Sequence, residues 1–281
     1  MNKFHYILLI LFISFSTIYA KQIKLLTIGN SFSQDAVENY LFDLAKANGD
    51  TIIIGNMYIG GCSLERHYKN SLTNSDDYSY RKITTGEIVA TPDFTLREAF
   101  EDEKWDFVSF QQVSQYSGMY ETYFPYIDSL IVYAKKYTKN VDLKIILHAT
   151  WAYAQSSTHS GFSNYGNDQM VMFYSIIETA KRVAEKIGAD VIIPSGTAIQ
   201  NARTSTLGDT FCRDGYHLEL TYGRYTSACT WFEKLFGISA IGSKYYPNTI
   251  TPFQAKIAQY AAHYACRNPL VVTSLGNYIE K

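Results

Sequence analysis

Short apolar runs recur along this chain, each followed by a polar turn and then by a stretch with helical spacing. "IKLLTIG" predicts a buried strand and Ala36 to Asn48 a helix; "DTIIIGNMYIGG" predicts a second strand closing in glycines. A helix is expected near Phe94 to Glu101, then a strand at "WDFVSF", a helix around Tyr123 to Tyr137 and a strand at "LKIILHAT". Helix Gln169 to Ile187, strand "ADVIIP", helix Gly196 to Ala202 and a C-terminal helical region complete the order. Runs this continuously apolar suit strands buried on both faces, and their alternation with helices implies an α/β fold around a parallel sheet. Two stretches break the rhythm. The region from His67 to Thr91 is rich in Ser, Asn, Asp and Tyr and reads as an irregular insertion, and a long loop carries Trp151, Tyr153 and "SSTHSGFSNYGND".

The amino terminus has a different logic. "MNKFHYILLILFISFSTIYA" begins with a basic residue, Lys3, runs apolar from Tyr6 to Tyr19 and ends on small Ala20. That is the layout of a secretory signal peptide, residues 1–20, cleaved after Ala20 to leave one domain over residues 21–281. The run is shorter than the ~20 residues a membrane span needs, so no stable membrane anchor is expected. The expected location is periplasmic or secreted.

Composition narrows the partners. The 281 residues carry 25 Lys and Arg against 26 Asp and Glu, dispersed along the chain, which argues against nucleic acid and anionic membrane. The 24 Tyr and 16 Phe suit either stacking on sugars or ordinary cores. Cys62, Cys212, Cys229 and Cys266 could pair in an oxidising compartment or stay as buried thiols; with no C-x-x-C pair they match no zinc module.

Ligands of parallel sheets bind outside the carboxyl ends of the strands, and four stretches there carry suggestive residues. In Gly29-Asn30-Ser31-Phe32-Ser33, Ser31 stands at a helix start as either a cap or a nucleophile. Gly60-Gly61-Cys62-Ser63 offers unobstructed backbone N–H groups or a plain turn. Gln111-Gln112-Val113-Ser114 offers side-chain amides to an oxyanion. In Arg213-Asp214-Gly215-Tyr216-His217, Asp214 can orient His217 through Nδ1–H, leaving Nε2 to take a proton from a serine. His148 reads as core or pocket lining, and Trp151 and Tyr153 as a stacking surface for sugar or as core.

The four stretches in this order resemble the SGNH (GDSL-type) hydrolase superfamily: "GNSFS" its first block, "GGCS" its second, "FQQVS" a variant of its third and "DGYHL" its last. "YIGGCSLERH", "TWAYAQSSTHSGF" and "IPSGTAIQNAR" are similar to one branch of it, catalogued as a domain of unknown function in glycan-degrading bacteria. The resemblance implies a flavodoxin-like three-layer sandwich with a central, mostly parallel five-stranded sheet covered by helices. It implies Ser31 as nucleophile, His217 as general base, Asp214 as its orienting carboxylate, and the Ser31 and Gly61 amides as most of an oxyanion hole. Asn30 stands where the superfamily has Asp. The third block lacks Gly-x-Asn, so its donor role falls to Gln112, with Gln111 or Ser114 as substitutes. The implied activity is a serine esterase acting on an O-acetylated or otherwise esterified glycan, with Trp151, Tyr153 and His148 against the substrate and no metal or organic cofactor required. Two other classes stay open: a non-catalytic glycan-binding protein on this fold, and a metal-dependent phosphoester hydrolase using His67, His148 or His159, with Glu65 or Asp168 as further ligands.

Overall fold

The computed structural model describes residues 20–276; the expected signal segment lies outside the described residues except for Ala20 at its end. Five strands run parallel, in the spatial order β2 (Thr51–Tyr58), β1 (Gln22–Gly29), β5 (Phe107–Phe110), β6 (Lys144–His148), β7 (Val191–Ile193). Two more, β3 (Tyr78–Ile83) and β4 (Ile88–Phe94), add antiparallel beyond β2, making a sheet of seven strands where five were expected. The additions come from the stretch read as an irregular insertion. β4 is an edge strand, exposed along nearly its whole length and carrying Pro92, so it lacks the apolar alternation by which a strand is recognised.

The period-two geometry of the strands sorts their side chains into two cores. Ile23, Leu25, Ile52, Ile54, Ile146 and Ile193 pack on one face with α1 (Ser31–Val37), α2 (Leu41–Ala47), α7 (Ser195–Arg203), α8 (Tyr222–Phe236) and α9 (Pro252–Arg267). Leu26, Ile28, Met57, Val108, Phe110 and Leu147 pack on the other with α3 (Leu64–Thr73), α4 (Leu96–Asp102) and α5 (Tyr126–Tyr137). Helix α6 (Gln169–Ile187) contributes to both.

The single helix expected over Ala36 to Asn48 is two. Glu38 turns inward, buried, to Arg81 at 2.7 Å and Asn56 at 2.6 Å, and Tyr40 takes a left-handed φ of 66°, which ends α1 and restarts the chain as α2. Register then aligns the strand ends: Gly29 pairs with Tyr58, Ile28 with Phe110, Phe110 with Leu147 and His148 with Ile193. The turns after β1, β2 and β5 therefore emerge side by side.

Candidate active site

The two serines after β1 divide the labour. Asn30, not a serine, caps α1: its Oδ1 accepts the Phe32 N–H at 2.9 Å. The Ser33 hydroxyl is directed to the Asn30 carbonyl at 2.8 Å and to Asn56 Oδ1 at 2.9 Å. Gly29 permits this fold-back, since a Cβ there would stand 2.4 Å from Ser33 Oγ. Ser31 is left with its hydroxyl on the open side of the turn.

Its partner arrives from the far end of the chain. His217 Nε2 lies 2.9 Å from Ser31 Oγ, and His217 Nδ1 lies 2.6 Å from Asp214 Oδ2. Asp214 Oδ1 accepts the backbone N–H groups of His217 at 2.8 Å and Tyr216 at 3.2 Å. Burial alone would push the Asp214 carboxyl up, but these bonds from the His217 ring and the two backbone amides outweigh it and hold the carboxyl below its ordinary value. An ionised carboxylate on Nδ1–H leaves Nε2 as the acceptor facing a serine hydroxyl, a geometry able to move a proton.

The loop bearing this pair is anchored to α1 by a buried ion cluster. Asp35, fully buried, accepts Arg213 Nη1 and the Leu218 N–H, both at 2.9 Å, through Oδ2; Arg224 binds Oδ1 at 2.7 and 2.9 Å. Arg213 also donates to the Leu218 carbonyl.

Ser31 and His217 line a cleft of about 420 Å³ together with Gly60, Gly61, Ser114, Gln115 and His159, walled by Tyr58, Arg213 and Tyr216. Gly61 has a φ of 63° and open space where a Cβ would be, so the left-handed backbone of the turn, rather than crowding, calls for glycine. The Asn30 side-chain amide donates to the Cys62 carbonyl at 2.9 Å and ties this turn to the one bearing Ser31. An aspartate would have no proton for that carbonyl, which gives asparagine at this position its physical reason.

Five expected roles do not survive the geometry. Gln112 is buried, with Oε1 accepting the Leu64 and Val113 N–H groups at 3.0 and 2.8 Å and Nε2 donating to the Thr122 carbonyl at 2.8 Å. It braces the loop and has no donor to offer the cleft. Gln111 donates to Asn30 Oδ1 at 2.9 Å, accepts from His148 Nδ1 at 2.7 Å and is not among the residues that line the cleft. His148 is buried behind them, its Nε2 3.0 Å from Ser195 Oγ, and burial lowers its pKa to about 3, so it is a neutral structural link and not a substrate contact. Trp151 and Tyr153 are fully buried. The Trp151 ring stacks on Phe32 at 4.3 Å and its indole donates to the Tyr216 carbonyl at 2.8 Å, so it supports the cleft from beneath rather than lining it.

Aromatic faces on the cleft come instead from Tyr58 and Tyr216. Both had a signal: Tyr58 precedes the glycine turn, and Tyr216 sits between Asp214 and His217. Among the described residues no three His, Cys, Asp or Glu side chains converge as metal ligands. His67 is buried against Tyr78 OH at 3.0 Å and Cys62 Sγ at 3.5 Å, while His159 lines the cleft. All four cysteines are unpaired, and burial pushes the Cys62 thiol up to about 12 and Cys212 to about 11, which suits inert side chains. No described helix is long and apolar enough to cross a membrane.

The family described as a domain of unknown function, DUF4886, matches this chain over residues 24–265. A crystal structure of a DUF4886 family protein from Bacteroides uniformis is 50% identical over 91% of this chain and 99% of its own, with a TM-score of 0.89. A protein of Slackia heliotrinireducens described as an SGNH hydrolase is 20% identical over 76% of this chain and 98% of its own, with a TM-score of 0.51, a likeness of fold. No curated protein sequence matches. The chain belongs to the DUF4886 family and is built on the SGNH fold.

Proposed function

We propose that this protein is an exported serine esterase that removes acetyl or similar O-acyl groups from carbohydrate. The observation that carries the reading is the hydrogen-bond chain from Ser31 through His217 to Asp214 at the floor of an open cleft. Ser31 Oγ attacks the ester carbonyl while His217 Nε2 takes its proton, and Asp214 stabilises the imidazolium that forms. The oxyanion lies between the Ser31 and Gly61 backbone amides, with the Ser114 hydroxyl as third donor in the place first given to Gln112. Ser114 borders the cleft and its Oγ lies 2.7 Å from Tyr153 OH; with the phenol as donor, the serine proton, directed at 3.5 Å to Gln115 Oε1, can turn to the oxyanion. His217 then protonates the departing alcohol, and water activated by the same ring hydrolyses the acyl-enzyme.

Carbohydrate as the alcohol is supported by the lining. Ser114, Gln115, His159 and Arg213 offer polar contacts, and Tyr58 and Tyr216 offer ring faces of the kind that stack on sugars. Export is carried by the amino-terminal sequence pattern.

The test is release of acetate from a panel of acetylated polysaccharides and from 4-nitrophenyl acetate, with the mature protein and its Ser31→Ala variant, each with and without chelator. Activity lost in the variant and retained under chelation is the expected result. Activity lost to chelator and indifferent to Ser31 would replace the reading with metal-dependent hydrolysis. Saturable sugar binding without turnover would make the protein a lectin on a hydrolase fold, and equal turnover of long-chain lipid esters would remove carbohydrate as the substrate class.

A further inference from the structure

Two imidazoles face the cleft, and the proposed reaction uses one. The second, His159, leads into the short 3-10 turn Ser160–Tyr165 and lines the same cleft as Ser31 and His217. Its Nδ1 accepts the Gly161 N–H at 3.0 Å. In a neutral ring whose Nδ1 is an acceptor, the proton sits on Nε2. Burial first, and then the neighbouring His217, lower the pKa of His159 below the ordinary histidine value, which favours the neutral ring. Nε2–H has no hydrogen-bond partner among the described residues.

The ring is also held in place. Its centroid lies 4.9 Å from that of Tyr153 and 4.8 Å from that of Tyr216, and Tyr216 in turn lies 4.1 Å from His217. The two histidines thus bring opposite hydrogen-bonding character to one cleft. His217 has its proton on Nδ1, toward Asp214, and a bare Nε2 for the serine; His159 has a bare Nδ1, occupied by Gly161, and a donor at Nε2.

We propose that His159 is a specificity-determining residue whose Nε2–H donates to a hydroxyl or ring oxygen of the sugar that carries the ester. The inference rests on the esterase reading and gives its substrate a recognition element. An acetyl group has one acceptor, the carbonyl oxygen, and the oxyanion donors take it. A polyhydroxylated leaving group supplies further acceptors, and a fixed, uncharged donor with no internal partner exchanges water for such a group when it binds. The aryl leaving group of 4-nitrophenyl acetate has no hydroxyl or ring oxygen, and its nitro oxygens accept only weakly.

The experiment compares kcat/KM on the best acetylated oligosaccharide of the panel with kcat/KM on 4-nitrophenyl acetate, for wild type, His159→Gln and His159→Phe. The ratio of sugar ester to aryl ester should fall about 3- to 10-fold in His159→Phe, the worth of one hydrogen bond, with the change in KM. His159→Gln, which keeps an N–H donor, should recover most of it. An unchanged ratio in His159→Phe, or an equal loss with both substitutions, would overturn the assignment while leaving the esterase reading intact. Wild-type turnover insensitive to Ser31→Ala would overturn the esterase reading and this inference together. Should His159→Phe fail to fold, His159→Ala must show the same fall in the ratio.

Discussion

Asp35 accepts the backbone N–H of Leu218 at 2.9 Å, joining the helix that begins at Ser31 to the residue that follows His217. Serine and histidine are 186 positions apart in sequence and 2.9 Å apart in space, and this carboxylate ties their elements together. Two guanidiniums, Arg213 and Arg224, themselves partly exposed, share this fully buried carboxylate. Asp35→Asn keeps the shape but removes the charge both arginines share, which costs about 1.5–3 kcal/mol, the worth of a hydrogen bond to a charged group. Because a displacement of about 1 Å at a reacting pair can cost 10²-fold, kcat in the folded fraction should fall by about that factor. Urea unfolding together with active-site-titrated kcat checks both. Unchanged kcat in the folded enzyme would mean that the loop holds its place without the clamp.

Asn30 makes a second tie of this kind, and a sharper substitution is available for it. Asn30→Asp replaces the donor to the Cys62 carbonyl with an acceptor of the same shape, setting two oxygens against each other at a contact now 2.9 Å long. It also puts a negative charge beside the expected oxyanion. The expected outcome is a loss of about 1–3 kcal/mol in stability, with kcat lowered further than the stability change accounts for. A variant with wild-type urea midpoint and turnover would remove Asn30 from the support of the glycine turn.

How much of this was legible without coordinates follows from what pattern can carry. The strands β1, β2, β5, β6 and β7 announced themselves because burial on both faces forces unbroken apolar runs. The hairpin of β3 and β4 did not: it is half exposed, polar and at the edge. That Ser31, Asp214 and His217 belong together was legible only from the four stretches as a set, since each stretch alone left a cap, a turn or a solvated loop open; the structure brings the three side chains within hydrogen-bond distance. The fate of Gln111, Gln112 and His148 was not legible. Whether a buried amide or ring points into a cleft or back into the core depends on partners such as Thr122, Leu64 and Ser195, which lie in other elements. Tyr58 and Tyr216 wall the cleft that Trp151 and Tyr153 were expected to wall, since aromatic residues beyond a strand end look alike in sequence whichever way they face.

The two buried histidines set an acid limit on stability. Burial lowers both His67, with help from Arg66, and His148 from 6.5 to about 3. The unfolded chain therefore takes up two protons as pH falls below 6.5 that the folded chain refuses. Stability is at its full value above that pH and is lost below it, at about 1.4 kcal/mol per histidine for each pH unit. Urea unfolding should give a free energy about 2–3 kcal/mol lower at pH 5.5 than at pH 7.5. Asp214, held low, has the same sign but acts only below the carboxylate range, outside this window. A free energy that does not change between the two conditions would mean that the rings accept protons in the folded state.

The third block separates bracing from chemistry, and the two can be measured apart. Gln112→Ala leaves the Leu64 and Val113 N–H groups without their acceptor inside the protein, which costs about 1–3 kcal/mol for each group that water cannot reach. Its kcat per folded molecule should stay within about 3-fold of wild type, since no Gln112 donor faces the cleft. Ser114→Ala should part from it in turnover. The hydroxyl removed stands at the cleft, so kcat per folded molecule should fall about 10²- to 10³-fold, the usual loss of an oxyanion donor. The buried Tyr153 OH also loses its partner at 2.7 Å, which costs about 1–3 kcal/mol in stability. Measured on one ester under one set of conditions, the two variants lose similar stability and differ in kcat per folded molecule. A large kcat loss in Gln112→Ala with near-normal turnover in Ser114→Ala would return the donor role to the glutamine and require its side chain to swing away from Thr122 when substrate binds.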